Sequence, residues 1–435
     1  MRSAPLFLAV LLLLVAFTAA DAMANLGPVP GPRLGAINQS PTVRVRVAAA
    51  TPSIHLAGPP TLAVRSASDA TIPPVQLRTP VTVARHGNAF LLRDAAGAAM
   101  TWRLRSMHVD SPSPPPLTLN GKALPGHLVL HPVDVPPATP AARPTPGIDA
   151  VNHVDLEAYL PGVLSRELYA SWPDETYRAQ AVAARSYALW ERQRNQHRTH
   201  DLESTVASQA YAGVTDNPRA HRAVAATRGT VLGYDGRVVP AFYSSTVGRE
   251  SQDAAAVFAD RTPPIAPLRG GPRGDWDRAS PHHQWPTLHR SIDDASARVR
   301  AWAASAGHPA SALTRITRID PIPHPVPQPQ ARLRPAGFLV HDARGAAYRI
   351  TAVDLRLALN YPAPRLPALP QRAVLKSSDC RFTIAGPNLV ITDGYGYGHG
   401  VGMSQWGAHA MAKAGHDHRA ILNHYYPGAA LTRLY

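Results

Sequence analysis

The first regular pattern in the chain is Thr42-Val43-Arg44-Val45-Arg46-Val47, where apolar and polar residues alternate with the period of two expected of a strand with one buried face. Shorter runs of the same kind follow at Thr61 to Val64, Val81 to Ala84, Ala89 to Arg93, Met100 to Leu104 and His127 to Leu130. Gly, Pro and Asn punctuate them, as at Asn120-Gly121. Residues 42–147 therefore read as a β-rich portion. Then the period changes. Between Asp155 and Leu168 the apolar residues Leu156, Leu160, Val163 and Leu164 recur on one helix face, and Glu167 falls next on that stripe. A second helix follows, with Ser171 as its expected cap, Asp174 completing a capping box and Pro173 in the first turn. Its stripe of Tyr177, Ala181, Ala184 and Ala188 is mostly small, which lets a neighbouring element approach closely. The predicted fold class is α+β, the β-rich portion being followed by a mixed α/β core over residues 148–435.

Near the C-terminus the alternation takes another form. Gly394, Gly396, Gly398, Gly400 and Gly402 occupy every second position, interleaved with Tyr395, Tyr397, His399 and Val401. In an extended chain these glycines would share one face and leave it bare for another backbone or a ligand. The run ends Gly402-Met403-Ser404-Gln405, without the Lys of a phosphate-binding loop. Ser404 is placed to cap a helix from Gln405 to about Ala414, closed by Gly415, and a shorter helix is expected from Ala420 to Tyr425.

Proline marks the interruptions. A stretch from Pro132 to Pro146 separates the β-rich portion from the core, and Pro-rich insertions are expected near 263–281 and 321–335. Ahead of the first strand, residues 23–41 read as a flexible Pro/Gly lead-in. Residues 1–22 have the form of a signal peptide: Arg2, an uncharged apolar run from Leu6 to Ala20, and small residues at Ala20-Asp21-Ala22. The expectation is export to the periplasm or cell envelope by a cleaved signal, with no stable membrane span in the mature chain.

Composition narrows the chemistry. The formal charge is +15, but only three of the 44 basic side chains are lysine, and no Lys/Arg block of the nucleic-acid-binding type occurs. A nucleic-acid partner is not expected; a generally basic surface suits anionic envelope polymers. Cys380 is the only cysteine, so the chain has no internal disulfide, and its expected place is in or beside a strand.

Glu167 is the candidate with the clearest chemistry. A carboxyl on an apolar stripe is desolvated, which raises its pKa toward the range of a general acid. The ordinary alternative is an ion pair with Arg166 or Arg185. Gln180 and Arg185 flank the small-residue stripe, as cleft residues or as plain polar surface. His399 is open to three readings: a base, a sugar-binding donor or a packed structural histidine.

Four segments together resemble the SpoIID/LytB family, which comprises stage II sporulation protein D and the amidase-enhancer proteins. They are Val154 to Val163 with Glu167 after it; Ser171-Trp172-Pro173 with Ala179 to Ala188; Ala241 to Gly248; and, most specific, Gly396 to Ala408. Residues 42–130 resemble the family's N-terminal β portion. The resemblance implies a lytic transglycosylase acting on peptidoglycan glycan strands stripped of stem peptides, with Glu167 as catalytic acid. Its alternative is a non-catalytic module that binds peptidoglycan and stimulates a cell-wall amidase. By motif position, Gln180, Arg185, Ser244, Ser245, His399, Ser404 and Gln405 are the expected substrate-binding residues. No cofactor and no metal are expected. Some family members have Cys and His ligands after the second helix, whereas His197 to Gln209 here contains no Cys. The tandem glycine expected after the serine pair reads Val247-Gly248.

Overall fold

The computed structural model describes residues 31–435 except 68, 70, 104–105, 112–113, 136–143, 259–261, 263 and 324–333. The expected signal peptide, residues 23–30 of the lead-in and most of the 321–335 insertion lie outside the described residues. From Gly31 onward the lead-in is tied to the core: Leu34 N–H donates to the Gly236 carbonyl at 2.8 Å and Ile37 N–H to that of Leu434 at 2.9 Å.

Alternation along Thr42–Thr51 buries Val43 and Val45 against the core. This strand lies in a seven-stranded sheet ordered 202–203, 42–51, 145–155, 127–135, 107–110, 61–66, 75–78. A six-stranded sheet, ordered 122–123, 118–119, 53–57, 81–86, 89–93, 99–102, packs on it. The strands His127–Val135 and Thr145–Asp155 pair antiparallel from His127↔His153 to Val135↔Thr145, so the sheet is continuous across the change in composition.

The long strand ends in Asp155, whose side chain accepts from the N–H groups of Glu157 and Ala158 and starts helix α1 (Leu156–Glu167). Helix α2 (Asp174–Arg194) follows, and α3 (Pro218–Ala226) covers both. The α2 start differs from the capping box expected at Ser171: Pro173 is the N-cap, with no side-chain cap bond, and Asp174 pairs with Arg219 at 2.6 Å. The small residues of the α2 stripe are completely buried, as close packing requires.

After the short α4 (Ala254–Val257), a second hydrophobic core is built within residues 285–391. Helices α5 (Ile292–Ala306) and α6 (Ala352–Asn360) pack Trp302, Val299 and Leu355 against two small antiparallel sheets. Cys380 is buried in the strand Asp379–Ala385. The chain returns to the first core through the strand Asn388–Tyr395, then α7 (Gln405–Lys413), α8 (His418–Tyr425) and the strand Ala430–Arg433, which pairs with Thr230–Tyr234. The class is α+β, with a β-rich N-terminal region. Among the described residues no helix is long and apolar enough to cross a membrane.

Candidate active site

Glu167 is the last residue of α1. The stripe that carries it, Leu156, Leu160, Val163 and Leu164, is fully buried, so the helix is pinned along the face that presents the carboxyl. Gly162 sets the next layer. A Cβ there would stand 2.3 Å from the Gly213 carbonyl oxygen and 2.8 Å from the Tyr211 ring, and its absence lets the 204–215 loop lie on the helix. Ala212 N–H donates to the Gly162 carbonyl at 3.1 Å, and two residues earlier Ala210 N–H donates to Glu167 Oε1 at 3.0 Å.

The other carboxyl oxygen is met from the far end of the chain: Gln405 Nε2 donates to Glu167 Oε2 at 3.0 Å. Burial pushes the Glu167 carboxyl up from its ordinary value, against the pull of the Gln405 and Ala210 bonds and the charge of Arg166. No arginine pairs with it among the described residues. Beside it, Gln209 donates to Tyr243 Oη at 3.0 Å and accepts from Tyr159 Oη at 3.2 Å. Burial, and then the Glu167 charge, push the Tyr243 hydroxyl up, so it stays protonated.

Ser404 and Gln405 are placed by a short parallel pairing, Tyr243↔Met403 and Ser244↔Ser404. Ser404 caps α7 by accepting from Gly407 N–H at 3.2 Å and donates to Asp277 Oδ2 at 3.2 Å. Asp277 Oδ2 also accepts from Val247 N–H at 2.9 Å, Gly248 N–H at 3.1 Å and the Thr246 hydroxyl. His283 Nδ1 stands 3.2 Å from Oδ1. One buried carboxylate thus fixes the Thr246 to Gly248 turn against the start of α7. Ser245 joins the same layer through its carbonyl, which accepts from Trp406 N–H at 3.1 Å. The Ser244 hydroxyl and the Gln180 side-chain amide are buried without a hydrogen-bond partner among the described residues.

Two expected site residues have their polar groups engaged by the protein itself. Arg185 is fully buried and grips Glu157, with Nε to Oε1 at 2.7 Å and Nη2 to Oε2 at 2.8 Å, while Nη1 donates to the Thr230 carbonyl at 3.1 Å. The Arg185 fork is thus spent on groups of the core, Glu157 and the Thr230 carbonyl. Burial pushes the Glu157 carboxyl up, but the bonds and charge of Arg185 and the Tyr435 hydroxyl outweigh it and hold the pKa below its ordinary value. His399 is the packed structural histidine of the three readings: its ring sits edge-on to Phe242 and Phe258, and Nδ1 accepts from Val401 N–H at 3.0 Å. Burial, with Arg356 and Arg334 nearby, pushes its pKa down to about 3. The ring is therefore neutral and internally bonded.

The glycine run also differs from the expected extended strand. The strand itself ends at Tyr395, with only isolated bridges at Tyr397 and Val401 in the rest of the run, and Gly396, Gly398, Gly400 and Gly402 adopt φ of +76°, +104°, +77° and +71°. Gly396 and Gly400 share a neighbour, Arg334, while Gly398 and Gly402 face others. A Cβ on Gly400 would stand 2.7 Å from the buried Arg334 guanidinium, one on Gly398 2.8 Å from Ser244 Cβ, and one on Gly402 2.0 Å from the Phe242 carbonyl oxygen. Arg334 donates to the Gly398 carbonyl at 3.0 Å and the Val247 carbonyl at 2.8 Å. The missing side chains therefore admit an arginine and the serine loop rather than a bare ligand face.

Sequence reasoning missed Ala210, Gln209, Tyr243 and Asp277. Tyr243 stands directly before the serine pair, and Gln209 closes the loop inspected for metal ligands, so position gave a signal for both. Asp277 lay hidden in a Pro-rich stretch read as an insertion. Among the described residues no group of three His, Cys, Asp or Glu side chains is set to hold a metal ion.

A helix-borne acid, a serine-rich turn and a glycine-rich crossing on a β-rich base define the class, and comparison with known proteins names it. The family model described as stage II sporulation protein, SpoIID, matches residues 145–234, which contain α1, α2 and α3. A protein of Brachyspira hyodysenteriae of uncharacterised role is 30% identical over 292 residues, covering 65% of this chain and 68% of its own. The amidase enhancer of Bacillus subtilis is 27% identical over 300 residues, and stage II sporulation protein D of Bacillus amyloliquefaciens 24% over 333. These alignments cover 63% and 71% of this chain, and 40% and 86% of the relatives. The chain thus spans well under half of the amidase enhancer's length. It belongs to the SpoIID family.

Proposed function

We propose that the protein is a peptidoglycan lytic transglycosylase that cleaves glycan strands, preferentially strands without stem peptides, with Glu167 as general acid. The observation that carries this reading is the partly buried Glu167 carboxyl, its pKa raised by burial and its two oxygens oriented by Ala210 N–H and Gln405. A raised pKa keeps a larger share of the carboxyl protonated near neutral pH, as a proton donor requires.

The step follows from that arrangement. Glu167 gives its proton to the glycosidic oxygen as the bond to the anomeric carbon breaks, and the sugar passes through an oxocarbenium-like state. The Ala210 and Gln405 donors stabilise the carboxylate left behind. The muramic 6-hydroxyl then attacks the anomeric carbon and its proton returns to Glu167, so one carboxyl serves twice. No second carboxylate nucleophile is needed, unlike in most glycosidases. Asp277, saturated by hydrogen bonds from the turn and α7, anchors the site.

The name of the Bacillus subtilis relative, amidase enhancer, favours a second reading, in which the same surface binds peptidoglycan and stimulates a cell-wall amidase. In either reading the protein works outside the cytoplasm, supported by the Arg2, Leu6 to Ala20 and Ala20-Asp21-Ala22 pattern at the N-terminus. Incubating the purified chain with amidase-stripped strands and identifying soluble products by mass spectrometry separates the two: anhydromuramyl ends belong to the transglycosylase alone.

A further inference from the structure

The turn after Glu167 leaves an aromatic ring in water. Tyr169 is 58% exposed, one of few large apolar side chains so placed among the described residues. Its backbone is held firmly. The Tyr169 carbonyl accepts from Trp172 N–H at 3.0 Å and Tyr177 Oη at 3.2 Å. Arg219 Nη1 donates to the carbonyls of Ala170 at 2.8 Å and Trp172 at 2.6 Å. An exposed ring on a pinned turn is presented in a set direction, which lowers the ordering cost of any ligand that stacks on it.

Other rings back it. Trp172 lies 5.3 Å from Tyr169 and Trp406 6.0 Å, centroid to centroid, and the two indoles are 5.1 Å apart at 71°. His409 stacks on Trp172 at 4.6 Å. Tyr169 lies two residues after Glu167, and Trp406 directly follows Gln405, which bonds the acid. The aromatic wall therefore starts where the hydrogen bonds to Glu167 end.

We propose that Tyr169, with Trp406 beside it, is a stacking platform for a pyranose ring of the glycan strand, neighbouring the sugar whose bond Glu167 cleaves. This rests on the reading that the site takes glycan strands. A pyranose presents a face of C–H groups with hydroxyls at its rim, and those C–H groups complement the electron-rich face of an aromatic ring. The patch is one or two rings wide, which suits a sugar and falls far short of the roughly 800 Å² that each side of a stable protein interface contributes.

The test compares strand binding by the full chain in a Glu167→Gln background, where cleavage does not intrude, for the parent, Tyr169→Ala and Tyr169→Phe. The probe is amidase-stripped peptidoglycan strands, with thermal melts confirming folding. The expected result is binding weakened roughly tenfold by Ala and kept within about twofold by Phe. Equal binding by the Ala variant, equal loss in the Phe variant, or no binding by the parent would each overturn the platform. The cleavage reading is scored separately: a wild-type chain that forms no anhydromuramyl products but binds strands through the ring removes the enzyme and leaves the platform standing.

Discussion

Gln405 and Glu167 stand 238 positions apart in the chain and meet in a 3.0 Å hydrogen bond. The bond joins the first amino acid of α7 to the last of α1, so the candidate acid is assembled only when the C-terminal segment has folded back onto the first core. A carboxyl held there by burial and two donors has consequences for stability as well as for chemistry.

Glu167→Gln is expected to raise stability at neutral pH. The folded pKa lies above its ordinary value, so between those two values the folded state binds more protons than the unfolded state. Stability contributed by this group is therefore lost as pH rises through the window. A wild-type melting temperature below that of the variant at pH 7, with the gap closing below about pH 4, is the expected outcome. A variant less stable at every pH would contradict it.

The buried Glu157–Arg185 pair predicts the opposite sign. Arg185→Ala strands a carboxylate in the core and should cost about 3–5 kcal/mol in denaturant unfolding. Glu157→Gln combined with Arg185→Ala should cost less than the two single changes added together, since both remove one interaction. A double variant as unstable as the sum would show that the two residues act independently.

Asp277→Ala removes the acceptor shared by Thr246, Val247, Gly248 and Ser404. A loss of about 2–4 kcal/mol is expected, several buried donors being left unpaired. Strand cleavage should fall with it, because the turn that sets Gln405 loosens. An unchanged melting curve would remove Asp277 from this role.

Three histidines on neighbouring strands, His108, His127 and His153, lie with ring centroids 5.0 to 6.4 Å apart. Burial first, then the neighbouring His127 and His108 and the Arg44 charge, push the His153 pKa down from 6.5 to about 4. The unfolded state then binds more protons across that window, so stability is expected to fall as pH drops from about 6.5 toward 4. A His153→Asn chain should show a shallower fall in melting temperature over the same range; an identical slope would contradict the assignment.

How much of this was legible beforehand depends on the range of the interaction. The alternation at Val43 and Val45 and the stripe from Leu156 to Glu167 are local patterns, and both elements form where the pattern places them. Strands Ser53–Ala57, Val75–Arg78 and Met107–Asp110 were not among the runs picked out, although Ser53–Ala57 alternates in burial like those that were. The core within 285–391 was hidden behind Pro-rich stretches that read as insertions. At the site, Glu167 and Gln405 could be picked out by motif, but their contact could not, since no local period links them. The Arg185 bond to Glu157 was hidden for a similar reason: the two sit 28 positions apart on different helices. The glycine alternation suggested one bare face, whereas positive φ at Gly396, Gly398, Gly400 and Gly402 turns them toward Arg334, Ser244 and Phe242.

The most direct test of the account is to incubate wild-type and Glu167→Gln protein, side by side, with amidase-stripped peptidoglycan strands and to analyse the soluble products by mass spectrometry. The account predicts anhydromuramyl products from the wild type and none above background from the variant, with strand binding retained by both. Anhydromuramyl products formed at equal rates by the two proteins, or by neither while both bind strands, would contradict it.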